Sequence, residues 1–288
     1  MSIAYLNGAW KPVEETCIPV LDRGFLFGDG VYEVIPVYSG KPFRLKEHLQ
    51  RLERNLAAIR IDMPLTQEKW ETIIGRLIED HGPLDQALYL QVTRGVAPKR
   101  DHAFPAGIKP TVFAMTSPLP EPNPERDRQG YAAITVSDER WNNCHIKAIT
   151  LLANLLARQE AVDTGAQEAI FIRNGKAVEG AASNLFIISN RLLITPPKSR
   201  ELLPGITRDF VLELAADQGI PFAEAEIPVE ELEKADEIWV TSSIREILPI
   251  VSLNGKPVGS GKPGTGWLQM HELFELGKER FRHGDDHE

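Results

Sequence analysis

Three Asn-Gly pairs, Asn7-Gly8, Asn174-Gly175 and Asn254-Gly255, constrain this chain more than any other feature of its sequence. Each lies between two strand-like runs. Asn followed by Gly suits the two successive left-handed conformations of a tight hairpin turn. Three hairpins demand a large antiparallel component. Between them the apolar residues change period. Leu45, Leu49, Leu52, Leu56 and Ile59 recur at threes and fours, and Trp70, Ile73, Ile74, Leu77 and Ile78 do likewise before Gly82-Pro83. Further helices are expected over 151–164, over 207–218 and across the last twenty-odd residues. Strands are expected at 87–93, 111–115, 132–136, 168–173, 185–188, 192–195 and 237–241. The fold class is α/β in the mixed, α+β sense.

A chain of 288 residues suggests one large domain or two ordinary ones. Pro118, Pro120, Pro122 and Pro124 alternate through a segment that reads as a stiff connector, neither helix nor central strand. A boundary there gives domains at 1–119 and 120–288. With 32 basic against 41 acidic residues, the net charge of −9 offers no general attraction for nucleic acid or anionic membranes. Two cysteines, Cys17 and Cys144, make no disulfide framework. The apolar stretch 148–157 is too short to span a bilayer, and the first residues show no leader pattern. A cytoplasmic protein acting on small molecules is expected, with 283–288 a frayed tail.

Several segments carry candidate chemistry. The glycines of 24–30 and 259–264 lack the spacing of nucleotide loops and read as turns. Leu203-Pro204-Gly205-Ile206-Thr207 feeds a helix whose first amides and hydroxyl suit an anion; alternatively Thr207 or a neighbour simply caps the helix. Lys147 enters a helix through apolar residues, where an ammonium is costly and a neutral amine becomes nucleophilic, unless the side chain snorkels to water. Glu179 ends a strand ahead of a small-residue turn that would let a flat ligand lie close; an ordinary loop glutamate is the alternative. Arg100 and His102 share a loop that is suited to gripping a carboxylate, or is a solvated loop with Asp101 neutralising its neighbour.

Taken in order, these segments resemble the fold type IV pyridoxal-phosphate enzymes, and among them the D-amino acid aminotransferases. The resemblance runs almost end to end. It is carried by Asp22-Arg23-Gly24, by Phe27 through Val34, and by His48-Leu49-Gln50-Arg51-Leu52. It continues through Gln91 to Gly95, Ile146-Lys147, Glu179-Gly180 with Ser183-Asn184, and Gly205-Ile206-Thr207-Arg208. It implies a small N-terminal α/β domain, a larger strand-rich C-terminal domain, and a homodimer with pyridoxal 5'-phosphate at the domain interface. By the same resemblance Lys147 binds the cofactor aldehyde and carries the proton, and Glu179 holds the pyridine nitrogen. Arg51, Ile206, Thr207, Ser242 and Ser243 hold the phosphate. Tyr32, Arg100 and His102 trap the carboxylate of a D-amino acid, with D-alanine and 2-oxoglutarate as the expected substrates. Branched-chain L-amino acid or R-selective amine transamination and aminodeoxychorismate lysis are the alternatives within the fold. Ala182 stands where a serine is expected, Ser243 where threonine is expected, and Ile244-Arg245 replaces a small polar pair.

Overall fold

The computed structural model of the chain describes residues 2–121 and 123–284, so Pro122 of the connector and 285–288 of the tail lie outside the described residues. Two compact units result. The first comprises the residues up to Pro120 together with Ile146–Thr150, and the second comprises Glu121–His145 and the chain from Leu151 onward. No single cut in the chain separates them, because the segment holding Lys147 returns to the first unit. No described helix is long and apolar enough to cross a membrane.

All three Asn-Gly pairs make two-residue hairpins with both residues left-handed: φ is 49° and 93° at Asn7-Gly8, 52° and 75° at Asn174-Gly175, and 51° and 75° at Asn254-Gly255. Asn190-Arg191 makes a further turn of this kind, with φ of 51° and 65°. There asparagine takes the left-handed angle readily and arginine does so with strain.

In the first unit, β1 (Ile3–Leu6), β2 (Ala9–Pro12), β3 (Gly30–Tyr38), β4 (Lys41–Pro42), β5 (Gln86–Thr93) and β6 (Thr111–Pro118) form one sheet ordered β2-β1-β6-β5-β3-β4. Helices α2 (Leu45–Ala58) and α3 (Gln67–Glu79) cover one face of it. That face presents Val31, Ile35, Leu88, Leu90, Val92, Val112 and Ala114 to Leu52, Leu56, Trp70 and Ile74, which places the core between sheet and helices. The long strand β3 is missing from the strands expected above. Its alternation is interrupted by Glu33 and Pro36, and Glu33 is fully buried among the apolar residues of that face. The segment 24–30, expected as a turn, contains the short helix α1 (Arg23–Phe27), with Asp22 as its cap.

In the second unit, β7 (Tyr131–Ser137), β8 (Glu168–Arg173), β9 (Lys176–Gly180), β10 (Ser183–Ser189), β14 (Glu237–Ser242) and β15 (Glu246–Leu253) pair in a ring: β9 meets β10, β10 meets β14, β14 meets β15, and β15 returns through β7 and β8 to β9. Only β15–β7 and β7–β8 in this ring are parallel. Leu185, Ile187, Ile238, Val240, Leu248, Ile250 and Ile170 share one buried cluster, the alternation expected of a barrel interior. β11 (Leu192–Thr195) and β12 (Phe222–Glu224) extend from β10, β13 (Ile227–Pro228) from β9, and β16 (Lys256–Pro257) from β15. Helices α6 (Ile206–Asp217) and α8 (Thr265–His283) pack through Phe210 and Phe274, whose ring centroids are 5.2 Å apart. α5 (Leu152–Asp163) and the short α7 (Val229–Glu233) complete the unit.

The connector corrects one expectation. Pro118 closes β6, and Pro124 begins a short helix, α4 (Pro124–Gln129), capped by Asn123. A proline at the first helical position needs no N–H, so alternation of prolines does not exclude a helix that starts on one of them. The tail is a second correction: His283 is still helical, and Gly284 closes α8 in the left-handed conformation.

Asp22 ties the start of α1 to the end of β5 and the start of β6. Its carboxylate accepts from the Gly24 amide (2.8 Å), the Thr93 hydroxyl (2.8 Å) and the Thr111 hydroxyl (2.6 Å), and it is fully buried. Asp22→Ala strands three donors and is expected to cost at least about 2 kcal/mol, lowering the thermal midpoint by roughly 4–8 °C. Asp22→Asn, which keeps one acceptor, should lose less; equal midpoints for wild type and Asp22→Ala would contradict this account.

Candidate active site

Lys147 reaches the first unit through backbone pairing. Its carbonyl accepts from the Tyr32 amide at 3.0 Å, Ala148 bridges Val31, and the Ile149 amide donates to the Gly30 carbonyl at 3.1 Å. The peptide therefore runs as an added strand beside the start of β3. Lys147 Nζ lies 4.3 Å from the centroid of the Tyr32 ring, and Tyr32 stacks on Tyr89 with centroids 5.8 Å apart. The half-buried lysine thus has an aromatic wall under its amine.

Successive residues of β3 point to opposite sides, so Glu33 lies on the helix-covered face while Tyr32 does not. Glu33 receives Arg51 through two nitrogens, Nε at 2.8 Å and Nη2 at 2.7 Å, and His48 Nδ1 lies 2.8 Å from its Oε2. Burial alone would raise the Glu33 pKa, but Arg51 and His48 hold it down at about 2. Burial lowers the His48 pKa against the raising effect of Glu33. The phosphate residue expected from the sequence, Arg51, is thereby fixed in plane by a carboxylate from the sheet.

Arg100 and His102 lie together on an exposed loop against Phe27: the Arg100 guanidinium is 5.0 Å from the ring centroid and the His102 ring 5.4 Å. Asp101 pairs with Lys99, at 3.2 Å, rather than neutralising Arg100. The loop backbone is held from below. The Arg23 guanidinium donates to the carbonyls of Asp101 (2.6 Å) and His102 (3.2 Å), and its Nε binds Asp29 at 2.7 Å. Arg94 takes Asp29 with two further nitrogens and stacks 3.5 Å from the Phe104 centroid. Burial opposes the Asp29 charge, but the two guanidinium groups hold its pKa below the ordinary range.

The second unit holds Glu179 at the end of β9. Arg140 Nη1 donates to its Oε1 at 2.6 Å; the Leu203 amide, at 3.0 Å, and Asn184 Nδ2, at 3.3 Å, donate to Oε2. Arg140 is shared with Asp138, which also receives Arg173 at 2.9 Å. Burial pushes the Glu179 pKa up to about 7 against the pull of Arg140, while Asp138 is held below its ordinary range by Arg140 and Arg173 despite its burial. The carboxylate is therefore oriented by three donors yet remains close to accepting a proton near neutrality.

Asn184 links Glu179 to the start of α6. Its Nδ2 also donates to the Leu203 carbonyl at 2.7 Å, and a Cβ on Gly205 would fall 1.9 Å from its Oδ1, which explains the glycine. Gly205 caps α6 without a side chain, so Thr207 is not the cap, and the first amides of Ile206 and Thr207 have no side-chain acceptor. Both residues are buried. In the sheet, Asn184 lies opposite Thr241, whose buried hydroxyl has no hydrogen-bond partner among the described residues. Ser242 and Ser243 follow, Ser242 Oγ accepting from the Arg245 amide at 3.2 Å. A helix start, an unsatisfied hydroxyl and two serines thus gather at one end of β10 and β14, an arrangement that fits a phosphate.

Sequence reading missed Asp138, Arg140, Glu33 and His48. A signal existed for each pair. Glu33 is a charge inside an apolar strand, and Asp138-x-Arg140 follows β7 directly, where isolated charges of opposite sign have no reason to leave water unless paired. Because Glu33 has a depressed pKa in the fold, its stabilisation is present above about pH 4.5 and disappears as the pH falls toward 2. Glu33→Gln should therefore be destabilised by about 3 kcal/mol near pH 7, with the gap in thermal midpoint closing below pH 4.5; a pH-independent gap would refute the ion-pair assignment.

Comparison with known proteins gives the family of the chain. The amino-transferase class IV family model matches residues 30–253. The D-alanine aminotransferase of Bacillus licheniformis is 40% identical over 258 residues, covering 90% of each chain. That of Staphylococcus epidermidis is 38% identical over 276 residues, covering 96% of this chain and 97% of the relative. Among solved structures, the branched-chain amino acid aminotransferase of Escherichia coli superposes with a TM-score of 0.87 at 28% identity, over 95% of this chain and 93% of that one. The T.th. branched-chain enzyme complexed with N-(5'-phosphopyridoxyl)-L-glutamate gives 0.89 at 25% identity, over 96% and 94%. This chain belongs to the class IV aminotransferases.

Proposed function

We propose that this protein is a pyridoxal 5'-phosphate-dependent D-amino acid:2-oxo acid aminotransferase, converting D-alanine and 2-oxoglutarate to pyruvate and D-glutamate. The observation that carries the reading is the Arg100–His102 pair on a loop pinned by Arg23, in a chain 37–40% identical to D-alanine aminotransferases. Branched-chain enzymes share the fold at 25–28% identity, so likeness of fold alone does not choose the substrate.

When bound, the cofactor supplies an electron sink for the pair left on the substrate Cα. The rest falls to side chains. Lys147 Nζ, lying over Tyr32, would hold the cofactor aldehyde and would take up and return the substrate Cα proton, a shuttle worth ~10²–10⁴-fold in rate. Glu179 Oε2 and Oε1, fixed by Arg140 and Leu203, offer a carboxylate edge to the pyridine nitrogen and keep a proton there. The Ile206 and Thr207 amides and the Thr207, Ser242 and Ser243 hydroxyls would take the phosphate, and the resemblance adds the Arg51 guanidinium. Arg100 and His102, with Tyr32, take the substrate carboxylate.

A homodimer is supported by α5, which turns Leu152 (71% exposed), Leu155 (61%) and Leu156 (64%) outward. Three leucines at helical spacing form an apolar stripe of the kind that subunit interfaces cover. In light scattering, Leu155→Glu with Leu156→Glu should shift the protein from twice the chain mass to that of one chain. An unchanged mass would place the interface elsewhere.

The direct test follows pyruvate from D-alanine and L-alanine separately, each with 2-oxoglutarate. Only the D-enantiomer should be consumed, and Lys147→Ala should abolish turnover. Arg100→Ala should raise KM for D-alanine about 10–100-fold with little change in kcat, because a charge-assisted contact made before and during reaction is lost. Consumption of L-alanine with indifference to Arg100→Ala would support a branched-chain type of specificity instead.

A further inference from the structure

Glu168, the first residue of β8, has no place in the chemistry above, yet its side chain is fully buried. All of its accepting positions are used. Oε1 accepts from the amides of Ala169, at 3.0 Å, and Ala181, at 3.1 Å; Oε2 accepts from the Ser183 hydroxyl, at 2.8 Å, and the Arg245 guanidinium, at 2.5 Å. Apart from the Ala169 amide, which is in β8 itself, these donors come from two separate turns. Ala181 and Ser183 belong to the turn that leaves Glu179, and Arg245 belongs to the turn that leaves Ser242. Arg245 closes its own turn by donating its amide to Ser242 Oγ, so its position and that of the serines move together. Glu168 also fixes the residue after Glu179. A Cβ on Gly180 would lie 3.0 Å from Glu168 Cδ and 2.2 Å from Ser183 Oγ, so only glycine lets the turn close over the carboxylate.

Resting on the pyridoxal-phosphate reading of the site, we propose that Glu168 is a positioning residue: its carboxylate clamps the Gly180–Ser183 turn to the Ser242–Arg245 turn and so sets the spacing between the groups holding the cofactor's ring nitrogen and those holding its phosphate. A spacer of this kind acts on a ligand that must satisfy both ends at once. It has little effect on a ligand that engages only one end. Glutamine cannot replace it. In one orientation its amide faces the Arg245 guanidinium, which can only donate, and in the other it faces two backbone amides.

The test compares pyridoxal 5'-phosphate with pyridoxal, which lacks the phosphate, as ligands of the full-length apoprotein, read by quenching of tryptophan fluorescence. Wild type should prefer the phosphorylated form strongly. Glu168→Gln should reduce that preference at least about 10-fold, through weaker binding of pyridoxal 5'-phosphate with pyridoxal nearly unchanged. Arg245→Met removes one arm of the clamp from a side chain that is 30% exposed, so it is expected to fold. It should reduce the preference about 3-fold, and the double variant should be no worse than Glu168→Gln alone. An unchanged preference in both single variants, or an equal loss for both ligands, would overturn the clamp. If wild type itself retains no pyridoxal 5'-phosphate, the transaminase reading fails first, and that result is distinct from a wild type that binds while its variants bind equally well.

Discussion

A carboxylate taken out of water must bring its donors with it, and that requirement organises both units of this protein. Glu33 is buried with Arg51 and His48, Asp29 between Arg23 and Arg94, Glu179 with Arg140, and Glu168 with Arg245. An ion pair of this kind adds little net stability over a well-packed apolar pair, because desolvation offsets most of the attraction. Its effect is geometric. A guanidinium held by two nitrogens has one orientation, and the loop or helix that carries it inherits that orientation. Arg23 shows the consequence, since the same group that neutralises Asp29 fixes the backbone of the loop presenting Arg100 and His102.

Glu179 is the exception among these carboxylates. Asp138, Asp29 and Glu33 are all driven below their ordinary range, but Glu179 is driven up to about 7 although it touches a guanidinium. Arg140 is divided between two acids, and the desolvation of Glu179 exceeds what half a guanidinium returns. A carboxylate left under-compensated in this way gains from any further cation. Under the proposed reading that cation would be the cofactor pyridinium, and the energy withheld in the unliganded fold would be available for binding it. Full pairing with Arg140 alone would have left a satisfied anion with little reason to hold a ring nitrogen proton.

The turns and helices were legible because their causes are local. Asn-Gly makes a hairpin wherever it stands, and a three-four apolar repeat makes a helix with one buried face. β3 was not legible. Glu33 and Pro36 count against a buried strand when only neighbours in sequence are considered, and the cations that make Glu33 tolerable arrive from α2. The proline-rich connector failed for the opposite reason: its composition was read as a single state, whereas Pro124 stands at the one helical position that suits it. Lys147, Glu179 and the Arg100–His102 loop could be nominated from sequence, and the pair Asp138-x-Arg140 left a weaker signal, but Glu168 could not be nominated. Its role exists only through Ala181, Ser183 and Arg245, which lie far away in the chain.

The comparisons separate what the fold determines from what it leaves open. Branched-chain enzymes at 25–28% identity superpose with TM-scores of 0.87–0.89, so the barrel, the strand holding Glu179 and the helix start at Gly205 do not distinguish one substrate from another. A lysine on one side of a planar cofactor delivers its proton to one side only. Under the proposed reading the fold would fix that side, which leaves the hand of the substrate to where its carboxylate is gripped. The grip must therefore sit on an element free to vary without disturbing the barrel. Residues 99–104 meet that requirement: they are exposed and lie outside every strand and helix, and their backbone is held by the buried Arg23. Substitution is tolerated there because the anchoring bonds go to backbone carbonyls, which a change of side chain leaves in place.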